Sequence, residues 1–321
     1  MSAAEISSST DIEPGSGALD LVLMDDQSGA IIALTFSGGP RASLARIVVF
    51  IADGVTLWYD ADIAPARHRP DISWSVEGAT QHIKLMAHTA EDLSCAEHRR
   101  DGDAEVQFRV PLTADLTLEP NSQPVPRMGD SSENVLQGSR NYRVTGSFAP
   151  GSVVYAISGQ AWIEPGDFGA STNQAGVRLQ AAFQDGSAML VACPDTADGS
   201  AGSNGAGGHT GAAALQAQTD IALLAVSALR TAGAERSAPQ RMICQLRGRT
   251  DVTVLGGLRS PDQHLALVRP SEDGDGWVRR AFTPFDFVRS GVTGFGILEQ
   301  VTQVSTREPV AVRDAGLPDP Y

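Results

Sequence analysis

Two carboxyl groups and an indole fall within six residues in "AWIEPGDFG", Ala161 to Gly169: Trp162, Glu164 and Asp167. Pro165 and Gly166 turn the chain between the acids, and such a turn can bring them close enough for one to hold a proton while the other is ionised. A linker with both acids facing solvent explains the same residues. In "GVTGFGILEQV", nearer the other end, Phe295, Ile297, Glu299 and Val301 share one strand parity. A carboxyl group in line with three apolar side chains, on the dry face of a barrel, has its pKa raised by desolvation and can act as a general acid. A bulge at Gly294 or Gly296 would instead turn Glu299 to water.

Other reactive residue types are less telling. Four histidines, His68, His82, His88 and His98, lie between Arg67 and Arg100. His82 and His88 share a parity, but six residues at about 3.3 Å each put them roughly 20 Å apart, too far to chelate one ion. Their face carries Lys84, the only lysine, and reads as solvated. Cys95, Cys193 and Cys244 have no C-x-x-C spacing, so neither a disulfide framework nor a zinc knuckle is indicated. Neither a nucleophile elbow nor a P-loop is present. The expectation is therefore chemistry without a cofactor and without a metal.

A net charge of −14 excludes a nucleic-acid backbone or an acidic lipid surface as partner, since both need clustered positive charge. The first residues have neither the basic start nor the apolar core of a signal peptide. No apolar run reaches the roughly 20 residues that span a bilayer. A cytoplasmic protein with no membrane span is expected.

Positioning the acids falls to sheet. Apolar and polar residues alternate along most of the chain, broken by turn chemistry about every ten residues, as in antiparallel strands. "ARIVVFIADGVTLWYDADI" reads as a hairpin about Asp53-Gly54, a preferred hairpin dipeptide. Further hairpins are expected about Glu77-Gly78, Asp101-Gly102, Ala149 to Ser152 and Asp185-Gly186. The segment 212–233 fits a helical and a strand period equally, and both stay open. A chain of 321 residues favours two units. The expected division is a disordered stretch 1–16, a first β domain 17–168, and a second 169–321 with a Gly-rich loop at 194–211. Closing into a barrel or folding into a sandwich are the two ways such units protect their edges.

The order strand, "YRVTG", turn, "YAISG", then an aromatic and acidic knot ending in Gly resembles the end of the first unit in the carotenoid 1,2-hydratase and AttH-like family. The closing "GFGILEQV" is similar to the last strand of that family's second unit, where a Gly-x-Gly precedes a Glu. The resemblance implies an all-β fold of two consecutive antiparallel lipocalin-like units. It also implies company with hydratases of isoprenoids and cyclases of the Diels–Alderase kind. Trp162 takes the place of the family's aromatic residue and Glu164 that of its acid. Pro165 stands where the family has His and Asp167 where it has Trp, so the usual catalytic pair is absent.

The expected function is a cyclase, isomerase or hydratase acting on carbon–carbon double bonds of a bulky apolar terpenoid or polyketide, held in a cavity in or between the barrels. Glu164, Glu299 and Asp167 are the candidate catalytic acids. Trp58, Tyr142, Tyr155, Trp162 and Phe295 are the candidate substrate contacts, the ring faces stabilising cationic charge. Tyr142 and Tyr155 are equally explained as cross-strand packing partners. The alternative is a binding protein that holds an apolar metabolite without altering it.

Overall fold

The computed structural model describes residues 19–37, 43–52, 54–64, 66–92, 97–99, 107–126, 136–165, 175–194, 209–218, 220–232, 238–270 and 276–305. Asp167, the stretch 1–16 and most of the loop 194–211 lie outside the described residues. Ten strands precede residue 166: β1 (Leu19–Asp25), β2 (Ile31–Ser37), β3 (Ser43–Phe50), β4 (Thr56–Asp60), β5 (Asp71–Glu77), β6 (Thr80–Glu91), β7 (Glu97–Arg99), β8 (Val110–Pro120), β9 (Arg140–Pro150) and β10 (Tyr155–Pro165). Nine follow: β11 (Gly176–Phe183), β12 (Ala188–Pro194), β13 (His209–Ala217), β14 (Asp220–Ala232), β15 (Arg241–Arg247), β16 (Val252–Leu258), β17 (Leu265–Pro270), β18 (Gly276–Arg289) and β19 (Val292–Ser305). The segment left open between helix and strand thus contributes to β13 and β14.

The strands form two closed antiparallel barrels in tandem. The first runs β4-β3-β2-β1-β10-β9-β8-β6 and closes by β4 pairing β6. The second runs β16-β15-β14-β13-β12-β11-β19-β18 and closes by β16 pairing β18. Closure removes the free edges that a sandwich would keep. Each barrel has one strand long enough for two partners on the same side. β6 pairs β5 over Thr80–Met86 and β4 at Ala90 and Glu91; β18 pairs β17 over Trp277–Phe282 and β16 over Phe285–Arg289.

Sequence alternation translates directly into inside and outside. In β8, Leu112, Ala114, Leu116 and Leu118 are buried, while the residues between them are exposed or half-buried. β11 departs from that pattern because every residue of it is buried. Val177, Leu179, Ala181 and Phe183 fill the second barrel. Arg178, Gln180 and Ala182 point the other way, and Ala182 joins the apolar cluster of the first barrel. The outer faces of the two barrels therefore pack on each other, β1 and β10 from the first against β11 and β19 from the second.

The hairpin expected about Asp101-Gly102 lies outside the described residues. β7, placed by the sequence before a turn at Asp101-Gly102, pairs in parallel with β17 of the second barrel. β17 pairs β18 on one side, and β7 occupies its other edge. The hairpin about Asp185-Gly186 does form, and Gly186 takes a φ of 79° that its missing Cβ permits.

The approach of β11 to β19 depends on glycine. A Cβ at Gly296 would collide with the Gln180 carbonyl oxygen. Gly296→Ala is expected to destabilise the protein by about 1–3 kcal/mol, the usual cost of overpacking, read as a lowered urea midpoint. An unchanged midpoint would contradict the β11–β19 register.

Candidate active site at the seam between the barrels

Strand register lines up a row of polar side chains on the outer face of the first barrel. Asp60 is opposite Arg46, Arg46 opposite Thr35, Thr35 opposite Asp20, and Asp20 opposite Glu164. The second barrel meets this row with one of its own. Glu299 is opposite both Arg178 and Phe282, and Arg280 lies one step along the same face of β18. Continuous pairing from Gly294 to Val301 keeps Glu299 on the face of Phe295 and Ile297. That face is not the inside of the second barrel; it looks across the seam.

Arg178 is the hub. Its Nη1 donates to Asp20 Oδ2 at 2.9 Å and lies 3.6 Å from Glu299 Oε2, and its Nε lies 3.5 Å from Glu164 Oε2. Arg280 Nη1 is 3.1 Å from Glu299 Oε1, and Arg46 Nε donates to Asp60 Oδ2 at 2.9 Å. Gln180 Nε2 donates to Glu164 Oε1 at 2.6 Å. All of these side chains are buried. Charges taken out of water this completely persist only when paired.

Three guanidiniums, Arg46, Arg178 and Arg280, meet four carboxyl groups, Asp20, Asp60, Glu164 and Glu299. The cluster is neutral when one carboxyl group keeps its proton. Glu164 is placed to do so. Burial pushes its carboxyl up from 4.5; Arg178 and the Gln180 amide oppose this, Asp20 and Glu299 reinforce it, and the result is about 7. Asp20 goes the other way. Burial alone would raise it, but Arg178 and Arg280 together hold it below the usual carboxylate range. Burial and the nearby Arg46 push Arg280 down to about 10, which leaves it charged at neutral pH. Adjacent acids driven apart in this way divide proton donor from anion.

Among the described residues, two spaces lie along the seam. A cavity of about 20 Å³ sits among Asp20, Arg178, Gln180, Ile297, Phe282 and Glu299. A groove of about 770 Å³ opens at the end formed by the β1–β2 turn, with Asp26, Ala182, Phe183, Arg259 and Phe295 in its walls. Arg259 braces it, donating from Nη1 to Gly29 O at 2.7 Å with Cζ 5.0 Å from the Phe295 ring centroid. Burial and the neighbouring Asp25 raise the pKa of Asp26. Groove and cavity share one track: Ala182, Gln180 and Arg178 on β11, Phe295, Ile297 and Glu299 on β19. At about 6.6 Å for every two residues, the acid cluster lies roughly 7–13 Å along the seam from the groove.

The candidate residues named from sequence do not share one cavity. Glu164 and Glu299 come together at Arg178, and Glu164 stands within β10 rather than in a turn. Trp162, fully buried, faces the seam opposite Val22, and its Nε1 has no hydrogen-bond partner among the described residues. Phe295 is in the groove wall. Trp58 lies on the outer face of the first barrel, edge-on to Phe108. Tyr142 points into that barrel, where its hydroxyl accepts from Gln81 Nε2 at 2.9 Å. Tyr155 packs on Phe148 with centroids 5.9 Å apart. Asp20, Arg46, Arg178, Gln180 and Arg280 were missed. Opposite charges on otherwise apolar strands, "LDLVLMD" against "GVRLQAAF", were the available signal.

No protein-family model matches the chain, and no curated protein matches it in sequence. Among solved structures, kievitone hydratase from Nectria haematococca aligns over 91% of this chain and 90% of its own, at 12% identity and a TM-score of 0.50. CghA aligns over 91% and 89%, at 16% identity and a TM-score of 0.45, and CghA with Sch210972 over 90% and 88%, at 16% and 0.44. The chain has the tandem lipocalin-like barrel fold. Among the described residues no helix is long and apolar enough to cross a membrane.

Proposed function

We propose that the protein is an enzyme of carbon–carbon double bonds, adding water to a bulky apolar substrate or directing its cyclisation or isomerisation, with the seam as its reaction centre. The observation that carries this reading is Glu164, a buried carboxyl group with a pKa of about 7 beside a guanidinium that can hold developing negative charge. A general acid works best when its pKa lies near the operating pH. Glu164 is the proton donor, Arg178 and Glu299 set the field around it, and the groove at Phe295 receives the substrate. Hydration is also the reaction in the name of kievitone hydratase, whose fold the chain shares. Phe183, Phe287 and Phe295 in the groove wall suit the apolar body of a terpenoid or polyketide, Asp26, Arg259 and Asp286 its polar groups, and the place of work is the cytoplasm. Asp167 follows Glu164 closely in sequence and is a second acid for the same chemistry.

One observation favours the binding protein as second reading: the roomy groove has neither Glu164 nor Glu299 in its walls. Native mass spectrometry of purified protein, with organic extraction, is expected to identify a bound apolar metabolite. With that compound as probe, Glu164→Gln is expected to lower turnover by about 10²–10⁴-fold while binding persists. Phe295→Ala is expected to weaken binding. Unchanged recovery of the compound from wild type, with affinity falling only as groove aromatics are trimmed, would establish the carrier instead.

A further inference from the structure

The small cavity in the seam has a feature that the ion pairs do not explain. Asp20 Oδ1 and Gln180 Oε1 are buried acceptors that no donor among the described residues reaches with full hydrogen-bond geometry; the Thr35 side chain stands beside Asp20 and helps hold its pKa down, and all three residues line the cavity. Asp20 is 7% exposed and Gln180 1%. A buried acceptor without a donor costs about 1–3 kcal/mol, so two in one place call for a shared partner. The cavity, about 20 Å³, exceeds the roughly 10–15 Å³ that a water's centre needs and leaves no room for a larger ligand. Arg178 in its wall opposes a cation, and the balanced charge of the cluster calls for a neutral species with two donors.

We propose that this cavity is a binding site for one water molecule, which donates one hydrogen to Asp20 Oδ1 and the other to Gln180 Oε1. The same Gln180 amide donates from Nε2 to Glu164 Oε1, so the water is one residue removed from the proton donor. The water thereby ties Asp20 to the amide that holds Glu164, and its bearing on the chemistry rests on the seam being the reaction centre.

Oxygen-17 relaxation dispersion counts long-lived internal waters. Ala33 also lines the cavity, and Ala33→Val, which brings two methyl groups into it, is expected to lower that count by one. A crystal structure of the unmodified protein, independent of whether the variant folds, is expected to show a single peak about 2.8 Å from both acceptors. An equal count in the two proteins, an empty cavity, or a peak whose occupancy follows sodium concentration would overturn the site. Turnover retained by Glu164→Gln would overturn the seam as reaction centre and leave the water site standing, so the two failures are distinguishable.

Discussion

Arg178→Met is expected to cost about 3–5 kcal/mol of folding stability at pH 7, the usual penalty for removing one partner of a buried ion pair. The side chain removed is 3% exposed and lies within 2.9–3.6 Å of Asp20, Glu164 and Glu299. Methionine restores much of the volume, so the loss isolates charge rather than packing. Three carboxyl groups then face one another in a dry seam, with Arg280 beside Glu299 and still acting on Asp20. Arg178→Lys keeps the charge but loses the planar fork that reaches several acids at once, and an intermediate loss is expected. Urea unfolding at pH 7 measures both. A cost under about 1 kcal/mol, the range of exposed pairs, would mean that water reaches the seam, and the dry acid centre would go with it.

Glu164→Gln is expected to change how stability depends on pH. The wild-type carboxyl group is raised from 4.5 to about 7. Between those values the unfolded chain has lost the proton that the folded chain keeps, so stability falls as pH rises and the loss is complete above about 7. Keeping a proton across that window is worth on the order of 3 kcal/mol. Glutamine imitates the protonated form, accepts and donates at similar positions, and has no proton to lose. The variant should therefore gain about 3 kcal/mol on wild type between pH 4.5 and pH 8. Asp20 does not enter this window. Its pKa is lowered, so its contribution is present above 3.8 and is lost only as pH falls through its folded value. Parallel stability curves for the two proteins would show that Glu164 is an ordinary ionised glutamate and remove the observation on which the proposed function stands.

The strand pattern was legible because its cause is local. "VPLTADLTLEP" alternates in sequence and in burial, and Gly186 turns a hairpin where Asp-Gly stands in the chain. Phe295, Ile297 and Glu299 share a face because a strand repeats every two residues. The length of β6 and β18, which closes both barrels, was not legible, since pairing with two strands at once depends on partners distant in sequence. β7 shows the same limit: three residues beside a turn signal found their partner in the other barrel.

The acid centre was half legible. Glu164 and Glu299 stood out as carboxyl groups among apolar neighbours, whereas Arg178 and Gln180 alternate with Val177, Leu179 and Ala181 and read as an ordinary wet face. Their burial comes from the first barrel covering that face, and a strand's period is blind to what covers it. Trp58 and Tyr142 were grouped with the site for being large and aromatic, yet parity sends Tyr142 into the first barrel, away from the seam, and Trp58, on the outer face it shares with Arg46 and Asp60, packs edge-on to Phe108. By itself the sequence determined an all-β chain, its turns, and which side chains share a face. Only the tertiary structure decided which faces stay dry, because desolvating Asp20, Glu164, Arg178 and Glu299 together takes two barrels, each presenting the charges that the other must neutralise.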